Sequence, residues 1–356
     1  MEFGVVSRIT EGFFKYQAWP TVAKDEKGVL YVGASSHRLG HVCPFGKDYL
    51  YISRDDGKTW EGPSVANDTC FDDRDAGLCA WGDGQLALTW FNPWRKLYNE
   101  RLDREPGLQS PMARGMVEMW NAMSDEEFED GCYIRFSEDG GKSWGEKQKI
   151  PVTAPHGPIR RRDGSLFFLG KEYLWGGEEC DSGNIYAYES RDGKTWQQLC
   201  RVEFPEGFGE ADIHEPHAVE LPDGTILGAL RGSGSKMPHR NGIFTTFSYD
   251  GGKSFTKPQV LELCGTPPHL LLHSSGAVVL TYGRRAAPFG ERARISYDGG
   301  KTWGEELVIS LESPDWDLGY PSSVELSDGS ILTVYYQKYP GDKHNSILYT
   351  KWRLPL

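Results

Sequence analysis

Short segments in which apolar and polar residues alternate recur along the whole chain, and a turn interrupts each of them. The segments span 19–34, 75–90, 156–170, 215–230, 267–283 and 320–336. Alternation with a period of two predicts β-strands that bury one face, and turns at Asp-Gly, Lys-Gly or Ser-Gly are strong hairpin signals. The pattern therefore predicts an all-β protein built from six repeated hairpins.

A second repeat, Ser-x-Asp-x-Gly-x-Thr-Trp, interleaves with the first. Its five copies are SRDDGKTW (53–60), SEDGGKSW (137–144), SRDGKTW (190–196), SYDGGKSF (248–255) and SYDGGKTW (296–303). The third has one residue fewer, and the fourth ends in Phe instead of Trp. Glycine supplies a positive φ, the Asp and Ser side chains bond amides within the turn, and the last aromatic residue packs on a neighbouring hairpin. A turn that is repeated in this way serves the fold, so we expect the motif to be structural rather than catalytic.

Two hairpins in each unit give four strands, and six four-stranded units predict a six-bladed β-propeller of antiparallel blades, a single domain over residues 1–356. The sixth unit lacks the turn motif and ends on SILYTKWRL, so residues 3–14 are expected to complete its sheet. Residues 92–130 form a partly helical insertion in blade 2 that is too long for a hairpin loop. An insertion of this length is typical of a lid or an interface element, although a helix that only packs on the rim is as good an explanation.

The composition narrows the range of partners. The net charge of −12 argues against binding to nucleic acid or to an anionic membrane, because both require a positive field. No apolar run approaches the roughly 18 residues of a membrane span, and MEFGVVSRIT does not resemble a secretory signal. The seven cysteines form no C-x-x-C pair, so a disulfide framework is not expected. These features predict a cytoplasmic protein, or a secreted one if a leader was removed, and leave its oligomeric state open.

The residues that open each unit are the first candidates for a functional site. Propeller blades begin at the central axis, where ligands bind in a funnel. Counting nine residues back from each turn glycine gives the blade-start positions Trp19, Asp75, Pro155, Glu215, Pro267 and Tyr320. His156 and His269 lie one or two positions further in. Core packing would not select such a polar ring, so the funnel is the predicted site.

Cationic residues follow the second strand of the units and are expected to form the other half of the rim. Among them are Arg38, Arg231, Arg284 and Arg285. A guanidinium group pairs bidentately with a carboxylate, so this arrangement favours an anionic substrate. Salt bridging among surface side chains explains any single one of these arginines equally well.

The segment DDRDAG, residues 72–77, places three carboxylates around Arg74 at the start of a blade. A calcium site would need ligands spaced along a loop, and Arg74 competes for these carboxylates, which favours an ion-pair cluster. His214 and His217 lie three apart on a predicted strand and do not aim both rings the same way. Neither a metal nor a cofactor is therefore expected.

The five S-x-D-x-G-x-[TS]-W boxes on repeated hairpins resemble the sialidase (neuraminidase) superfamily with its Asp boxes, over nearly the whole chain. The boxes are specific for the fold and far less so for the reaction. By this resemblance, Tyr320 in GYPSSVEL stands where these enzymes carry the tyrosine nucleophile, and Glu215 in HEPHAVEL stands where they carry its carboxylate partner. A phenol with a pKa of about 10 needs such a partner to accept its proton.

The resemblance also implies a carboxylate-binding set of three arginines. Arg231 and Arg292 match two of them, and Arg294 shares a strand face with Arg292 and could take its place. Ala18, in YQAWPTV, stands where the family has its first arginine. In the loop after Arg38, where the family's acid/base aspartate is expected, the only carboxylate is Asp48. The alternatives for this role are His37, His41 and Asp75.

The leading hypothesis is an exo-acting glycoside hydrolase of sialidase type, which acts on a glycan and removes a terminal acidic sugar. Another glycan-cleaving enzyme on the same fold is the alternative: an exo-glycosidase, or a uronate-directed lyase that uses His and Tyr as acid and base. Trp19, Ala18 and the funnel histidines favour that alternative. A non-catalytic carbohydrate-binding propeller is the third hypothesis, and it fits the polar funnel least well.

Overall fold

The computed structural model describes residues 1–82, 84–173 and 183–355. Over these residues the chain forms six antiparallel four-stranded sheets, arranged as the blades of a propeller. The prediction of an all-β, six-bladed propeller is therefore confirmed. Each blade runs outwards in chain order from its first strand, so that the second strand separates the first from the third.

The strands of the first three blades follow the predicted hairpins. The chain begins with β1 (Glu2–Ser7). Blade 1 contains β2 (Tyr16–Lys24), β3 (Leu30–Arg38), β4 (Lys47–Ser53) and β5 (Glu61–Asn67). Blade 2 contains β6 (Arg74–Gly82), β7 (Gln85–Asn92), β8 (Gly131–Ser137) and β9 (Gln148–Ile150). Blade 3 contains β10 (Ile159–Arg160), β11 (Leu166–Lys171), β12 (Ile185–Ser190) and β13 (Gln197–Arg201).

The other three blades repeat this order. Blade 4 contains β14 (Ile213–Glu220), β15 (Ile226–Ser233), β16 (Asn241–Ser248) and β17 (Gln259–Leu261). Blade 5 contains β18 (Pro268–Leu272), β19 (Val278–Arg284), β20 (Gly290–Ser296) and β21 (Leu307–Val308). Blade 6 contains β22 (Gly319–Glu325), β23 (Ile331–Lys338) and β24 (Asn345–Trp352), and β1 is its outermost strand.

The ring closes through blade 6. Strand β1 pairs antiparallel with β24, with Glu2 opposite Lys351 and Val5 opposite Leu348. The expectation that N-terminal residues complete the last sheet is confirmed, although the pairing strand is shorter than the predicted segment. The two ends of the chain are thus held in one sheet.

The hydrophobic core lies between the blades. Val22 and Val32 of blade 1, for example, belong to one buried cluster with Leu332 and Val334 of blade 6. Equivalent clusters join each of the other neighbouring pairs of blades. Burial of this apolar surface holds the ring together, and it leaves the inner ends of the blades free to carry polar groups.

The turn motif closes on itself by hydrogen bonds. In the first copy, Ser53 Oγ donates to Asp55 Oδ1 over 2.8 Å and accepts from the Gly57 amide over 2.9 Å. Asp55 also accepts from the amide and the hydroxyl of Thr59, over 2.9 Å and 2.6 Å. These hydrogen bonds lower the pKa of Asp55 to about 2. The Asp side chain is therefore engaged within the turn.

The glycine of the motif packs against the preceding blade. A Cβ on Gly57 of blade 1 would lie 2.5 Å from Leu332 Cδ1 of blade 6, and a Cβ on Gly300 of blade 5 would lie 2.5 Å from Leu227 Cδ2 of blade 4. Both glycines also have positive φ, of 82° and 90°. The motif recurs because each blade needs a compact turn that fits against its neighbour.

The insertion in blade 2 contains two α-helices, α1 (Arg95–Arg101) and α2 (Pro111–Ala122), separated by a 3-10 turn at Pro106–Leu108. Ser110 caps α2, since its side chain accepts a hydrogen bond of 3.1 Å from the Ala113 amide. Tyr98 and Trp120 form a separate buried cluster with Phe71, which precedes blade 2. The insertion is therefore packed on the propeller through its own small core.

No helix in the described part of the chain is long and apolar enough to cross a membrane. Six cysteines, at positions 43, 70, 79, 132, 200 and 264, are free thiols. Cys180 lies outside the described residues.

Candidate active site

Four of the blade-start residues share an unusual backbone conformation. Trp19, Asp75, Glu215 and Tyr320 have positive φ values of 52°, 59°, 42° and 52°. Each lies at a shift in register between the first two strands of its blade. A bulge redirects a side chain out of the regular pleat, and positive φ in a non-glycine residue is strained and concentrates at functional sites. The same bulge, with a positive-φ residue in it, thus recurs on blades 1, 2, 4 and 6.

Three of these residues face a cavity of about 250 Å³. Its polar walls are formed by His41, Arg74, Asp75, Arg101, Glu215, Arg231, Arg285 and Tyr320. Its apolar walls are formed by Phe91, Pro93, Trp94, Leu97 and Tyr173. The insertion provides Pro93, Trp94, Leu97 and Arg101, so it forms part of the wall. Trp19 is 1% exposed and packs beside the cavity, with its ring 6.4 Å from that of Tyr320.

Tyr320 and Glu215 form the most direct polar contact in the cavity. Tyr320 Oη donates a hydrogen bond of 2.5 Å to Glu215 Oε1. Glu215 Oε2 accepts a hydrogen bond of 2.6 Å from Arg231 Nη1. Burial disfavours ionisation of Glu215, but Arg231 and the Tyr320 hydroxyl outweigh it and hold the pKa of Glu215 below its ordinary value of 4.5. Glu215 is therefore a carboxylate that is ready to accept the phenolic proton.

The Tyr320 hydroxyl keeps its proton in the free site. Burial, Glu215 and Asp75 raise the pKa of Tyr320 well above its ordinary value of 10.0, while Arg231 and Arg285 act in the opposite direction. Tyr320 is 5% exposed. Transfer of the proton to Glu215 thus requires a bound reactant that consumes the developing negative charge on the phenolic oxygen.

Arginines surround this pair. Arg285 lies with its guanidinium 5.4 Å from the centre of the Tyr320 ring, and it donates to the Leu318 carbonyl over 2.9 Å and to Tyr336 Oη over 3.1 Å. Arg74 lies 4.2 Å from the centre of the Trp19 ring and donates to the His41 carbonyl over 3.1 Å. With Arg231 and Arg101, which also line the cavity, they place four guanidinium groups on it.

Three predicted arginines of blade 5 do not line the cavity. Arg292 lies on β20, the third strand, and bonds the carbonyls of Glu291 and Pro288 over 3.0 Å and 2.8 Å. Arg284, the last residue of β19, lies 3.4 Å from Glu306, and so does Arg292. Arg294 is also on β20, opposite Leu280. The match of Arg292 to the anion-binding set is therefore corrected.

Arg285 takes the position in the cavity that was expected of Arg292. Strand β19 ends at Arg284, so the side chains of Arg284 and Arg285 diverge as the chain leaves the sheet. A third-strand residue is separated from the axis by two strands, which is the physical reason why Arg292 and Arg294 cannot reach the funnel.

Two predicted site residues of blade 1 are buried inside the protein. Arg38 pairs with both oxygens of Asp72 over 2.5 Å and 2.9 Å, and both side chains are fully buried. Asp48 lies on β4, a third strand, and accepts from Asn67 over 3.4 Å. Burial and the neighbouring Asp73 raise its pKa well above 3.8. Asp48 does not reach the cavity, so its assignment as the acid/base is corrected, and Arg38 has a structural contact instead.

His156 and His269 lie below the cavity, in the central channel. Their rings are 5.0 Å apart, and the ring of His217 is stacked 4.3 Å from that of His269. All three line a second cavity of about 320 Å³, further along the first strands. Burial lowers the pKa of each, to about 3 for His217. The funnel histidines are neutral and do not line the cavity of Tyr320, which corrects their prediction as substrate-binding residues.

Asp75 does face the cavity, and it is nearly buried, at 6% exposure. Among the residues that the structure describes, none donates a hydrogen bond to its carboxyl group. Burial raises its pKa to about 7, Glu215 acts in the same direction, and Arg74 opposes both. Asp75 can therefore hold a proton near neutral pH.

His41 reaches the cavity from the loop between β3 and β4. Its Nδ1 lies 3.1 Å from Asp317 Oδ1 and 2.9 Å from Tyr16 Oη. The sequence offers His41 only as an alternative to Asp48, and it does not indicate Asp317 or Tyr16 as site residues. The contacting residues are 276 and 25 positions from His41, so no local motif signals them. Within the described residues, no group of His, Cys, Asp and Glu side chains is arranged to hold a metal ion.

The repeated turns, the six blades and the tyrosine–carboxylate pair can be compared with known proteins. Residues 112–335 match the BNR repeat-like domain, and residues 51–61 match the BNR/Asp-box repeat. The chain belongs to the BNR repeat-like family. A comparison with curated proteins gave no match.

The fold of this BNR repeat-like protein is similar to that of several solved structures. A protein of unknown function from Dyadobacter fermentans is 23% identical, with a TM-score of 0.79 over 100% of this chain and 98% of that one. The intramolecular trans-sialidase of Ruminococcus gnavus, solved with oseltamivir carboxylate, is 15% identical, with a TM-score of 0.64 over 96% and 95%. The NanB sialidase of Streptococcus pneumoniae is 15% identical, with a TM-score of 0.72 over 99% and 70%. At these identities, the likeness is one of fold.

Proposed function

We propose that the protein is an exo-acting glycoside hydrolase that releases a terminal acidic sugar of the sialic acid type from a glycan. The observation that carries this proposal is the 2.5 Å hydrogen bond from Tyr320 to Glu215 in a cavity that four arginines also line. A phenol paired with a carboxylate is an activated nucleophile, and its neighbours are suited to an anion.

In the proposed reaction, Tyr320 Oη attacks the anomeric carbon while its proton passes to Glu215 Oε1. The bond to the leaving oxygen breaks, and a tyrosyl glycoside forms. Sialidases with a tyrosine nucleophile are an exception to the usual pair of carboxylates. A neutral phenol avoids placing a full negative charge against the carboxylate that a sialic acid carries on its anomeric carbon.

Arg74, Arg231 and Arg285 would bind that carboxylate. Arg231 pairs with Glu215, and Arg74 Nη1 lies 3.5 Å from the buried Asp72 carboxylate, whereas the hydrogen bonds of Arg285 go to the Leu318 carbonyl and the Tyr336 hydroxyl. A guanidinium that is held by neutral acceptors keeps its charge available to an incoming anion. The cavity of about 250 Å³, with the insertion as one wall, suits one terminal sugar rather than the interior of a chain.

The test is to trap the covalent intermediate. The purified protein is incubated with a fluorinated sialyl fluoride, which forms a glycosyl-enzyme quickly and hydrolyses it slowly, and is then digested for mass spectrometry. The expected result is a glycosyl mass increase on the peptide that contains Tyr320. Turnover of an aryl α-sialoside without any such adduct would contradict the tyrosine mechanism.

A uronate-directed lyase is the second candidate, and one observation favours it. His41 and Tyr320, an imidazole and a phenol, line the same cavity as the arginines, as acid–base elimination next to a neutralised carboxylate would require. A lyase forms an unsaturated sugar that absorbs ultraviolet light and takes no oxygen from water. Product analysis in ¹⁸O-labelled water therefore distinguishes the two reactions.

A further inference from the structure

We propose that His41, oriented by Asp317, is the general acid/base of this site. It donates a proton to the departing glycosidic oxygen and later accepts one from the water that hydrolyses the intermediate. This assignment rests on the proposed function, since it concerns the leaving-group side of the same reaction. Asp317 is a positioning residue, because it acts through His41.

The contact between His41 and Asp317 fixes one nitrogen of the imidazole. Nδ1 lies 3.1 Å from Asp317 Oδ1 and 2.9 Å from Tyr16 Oη. A carboxylate at one ring nitrogen stabilises the imidazolium and leaves the other nitrogen to exchange protons with a reactant. Nδ1 is thus the nitrogen that contacts the protein and orients the ring.

Asp317 is itself held firmly. Oδ1 also accepts hydrogen bonds from Tyr16 over 3.0 Å and Tyr336 over 3.2 Å, and Oδ2 accepts one from Asn345 over 2.9 Å. Burial favours the neutral acid, but His41 and Tyr16 keep the pKa of Asp317 below 3.8. Three donors besides His41 therefore fix an ionised carboxylate behind the ring.

The other nitrogen of His41 is available to a substrate. His41 lines the cavity of Tyr320, and within the described chain Nε2 has no hydrogen-bond partner. The ring is confined by Trp19, at a centroid distance of 5.1 Å, and by Trp316, at 6.3 Å. The aromatic contacts limit ring rotation, so the imidazole is held in a restricted orientation in the cavity wall.

Asp75 is the competing proton donor, and its surroundings favour a different role. It has the same blade-start geometry as Glu215 and Tyr320, so it lies on the same side of the cavity as the proposed nucleophile. In the described part of the molecule no group orients its carboxyl. Proton transfer in a transition state demands a positioned donor, and His41 meets this requirement better.

The two half-reactions balance with His41 in this role. In the first, the imidazolium gives its Nε2 proton to the glycosidic oxygen, the C–O bond breaks, and the Tyr320 oxygen bonds the anomeric carbon as its proton passes to Glu215. In the second, neutral Nε2 takes a proton from water, the hydroxide oxygen bonds the anomeric carbon, the bond to Tyr320 breaks, and Glu215 returns the proton to the phenolate.

The charge state of His41 depends on the groups that surround it. Asp317 and Tyr16 contact Nδ1, and the guanidinium groups of Arg74 and Arg285 lie nearby. Burial lowers the pKa of His41, the two arginines act in the same direction, and Asp317 opposes them. Removing the Asp317 charge should therefore lower this pKa further and make the imidazolium scarcer at a given pH.

The test compares two α-sialosides with the full-length protein: one with a strongly acidic phenol as the leaving group, and one with a sugar as the leaving group. An acidic phenol departs without protonation, whereas a sugar does not. For His41→Gln, we expect kcat/KM to fall by about 10²–10⁴-fold with the sugar leaving group and by less than about tenfold with the phenol. Asp75→Asn is the matched comparison, and its losses should be equal for the two substrates.

A second pair of variants tests the role of Asp317. In Asp317→Asn, the alkaline limb of the pH profile for the sugar-linked substrate should move to lower pH, and Asp317→Glu should restore part of the shift. A purely structural role would lower activity equally at every pH. Thermal unfolding shows whether each variant is folded.

Three outcomes would overturn the assignment. Equal losses for His41→Gln on both substrates would show that His41 does not protonate the leaving group. A loss in Asp75→Asn that depends on the leaving group would give the role to Asp75. Failure of the wild-type protein to cleave either substrate would instead contradict the proposed function, and the role of His41 with it.

Discussion

Tyr320 and Glu215 are 105 residues apart and are joined by a hydrogen bond of 2.5 Å. They meet because each occupies the ninth position before the hairpin glycine of its blade and each adopts the same left-handed backbone. The fold brings equivalent positions of different blades to one axis, so the contact follows from the repeat rather than from any local motif. This relationship is the basis of the first prediction.

Replacing Tyr320 by Phe should lower kcat on an aryl α-sialoside by at least about a thousandfold, since the variant has no nucleophilic oxygen. Tyr335→Phe is a matched control in the same blade, because its hydroxyl contacts only Thr350, over 3.0 Å, among the described residues. That variant should lose about 1 kcal/mol of stability and no activity. Equal rates for Tyr320→Phe and the control would rule out Tyr320 as the nucleophile.

Replacing Arg285 by Lys should raise KM for an acidic sugar by about 10–100-fold, because lysine lacks the planar fork that binds a carboxylate bidentately. Arg284→Lys is the neighbouring control, since Arg284 faces Glu306 and not the cavity. Its KM should change by less than about twofold, as expected for a surface salt bridge. Steady-state kinetics measure both, and a larger effect at Arg284 would contradict the observed placement.

The raised pKa of Asp75 predicts a pH dependence of stability. The folded carboxyl has a pKa of about 7 and its ordinary value is 3.8, so the folded protein binds this proton more tightly than the unfolded chain. The protonated Asp75 carboxyl group therefore stabilises the folded protein by its full amount below pH ~4, and this stabilisation is lost as the pH rises to about 7. The loss is about 4 kcal/mol at most.

Urea unfolding of the wild type and Asp75→Asn between pH 4 and pH 8 measures this effect. The unfolding free energy of the wild type, relative to that of Asp75→Asn, should fall as the pH rises and become constant above about pH 7. Asp73, whose pKa is also about 7, titrates in both proteins, so its contribution cancels in the difference between them. A difference that is independent of pH would mean that Asp75 ionises normally.

Gly300 should be far less tolerant of alanine than Gly329. At Gly300, the positive φ costs about 1–2 kcal/mol, and contact with Leu227 of the preceding blade adds about 1–3 kcal/mol. Gly329 also has a positive φ, but a Cβ there meets nothing within 4 Å, so only the backbone cost applies. Denaturant titration of the two variants measures the difference. Equal losses would show that the turn motif does not hold neighbouring blades together.

The sequence predicts most of the fold and the floor of the site. Hairpin turns and alternating residues define the blades, and the constant distance from each turn glycine to each bulge locates Asp75, Glu215 and Tyr320. The sequence does not predict where the side chains at strand ends and in loops lie. Whether Arg285 or Arg292 enters the cavity depends on where β19 stops and on which strand each occupies.

The contact between His41 and Asp317 cannot be predicted from the sequence for another reason. His41 meets Asp317 because a loop of blade 1 and the segment before β22 fold over the same rim, and the two residues are 276 positions apart. Asp48, by contrast, is the only carboxylate in its segment, but strand β4 places it in the protein interior. Proximity in sequence is a poor guide where neighbouring residues alternate between the faces of a blade.

The pairing of β1 with β24 makes completion of the blade that carries Tyr320 depend on both terminal segments of the propeller. Blade 6 carries Tyr320, yet its outermost strand is supplied from the opposite end of the chain. During synthesis, β1 emerges long before its partner and must wait, unpaired, until β24 has left the ribosome. A product that ends before β24 would therefore leave the ring open and blade 6 without its two outer strands.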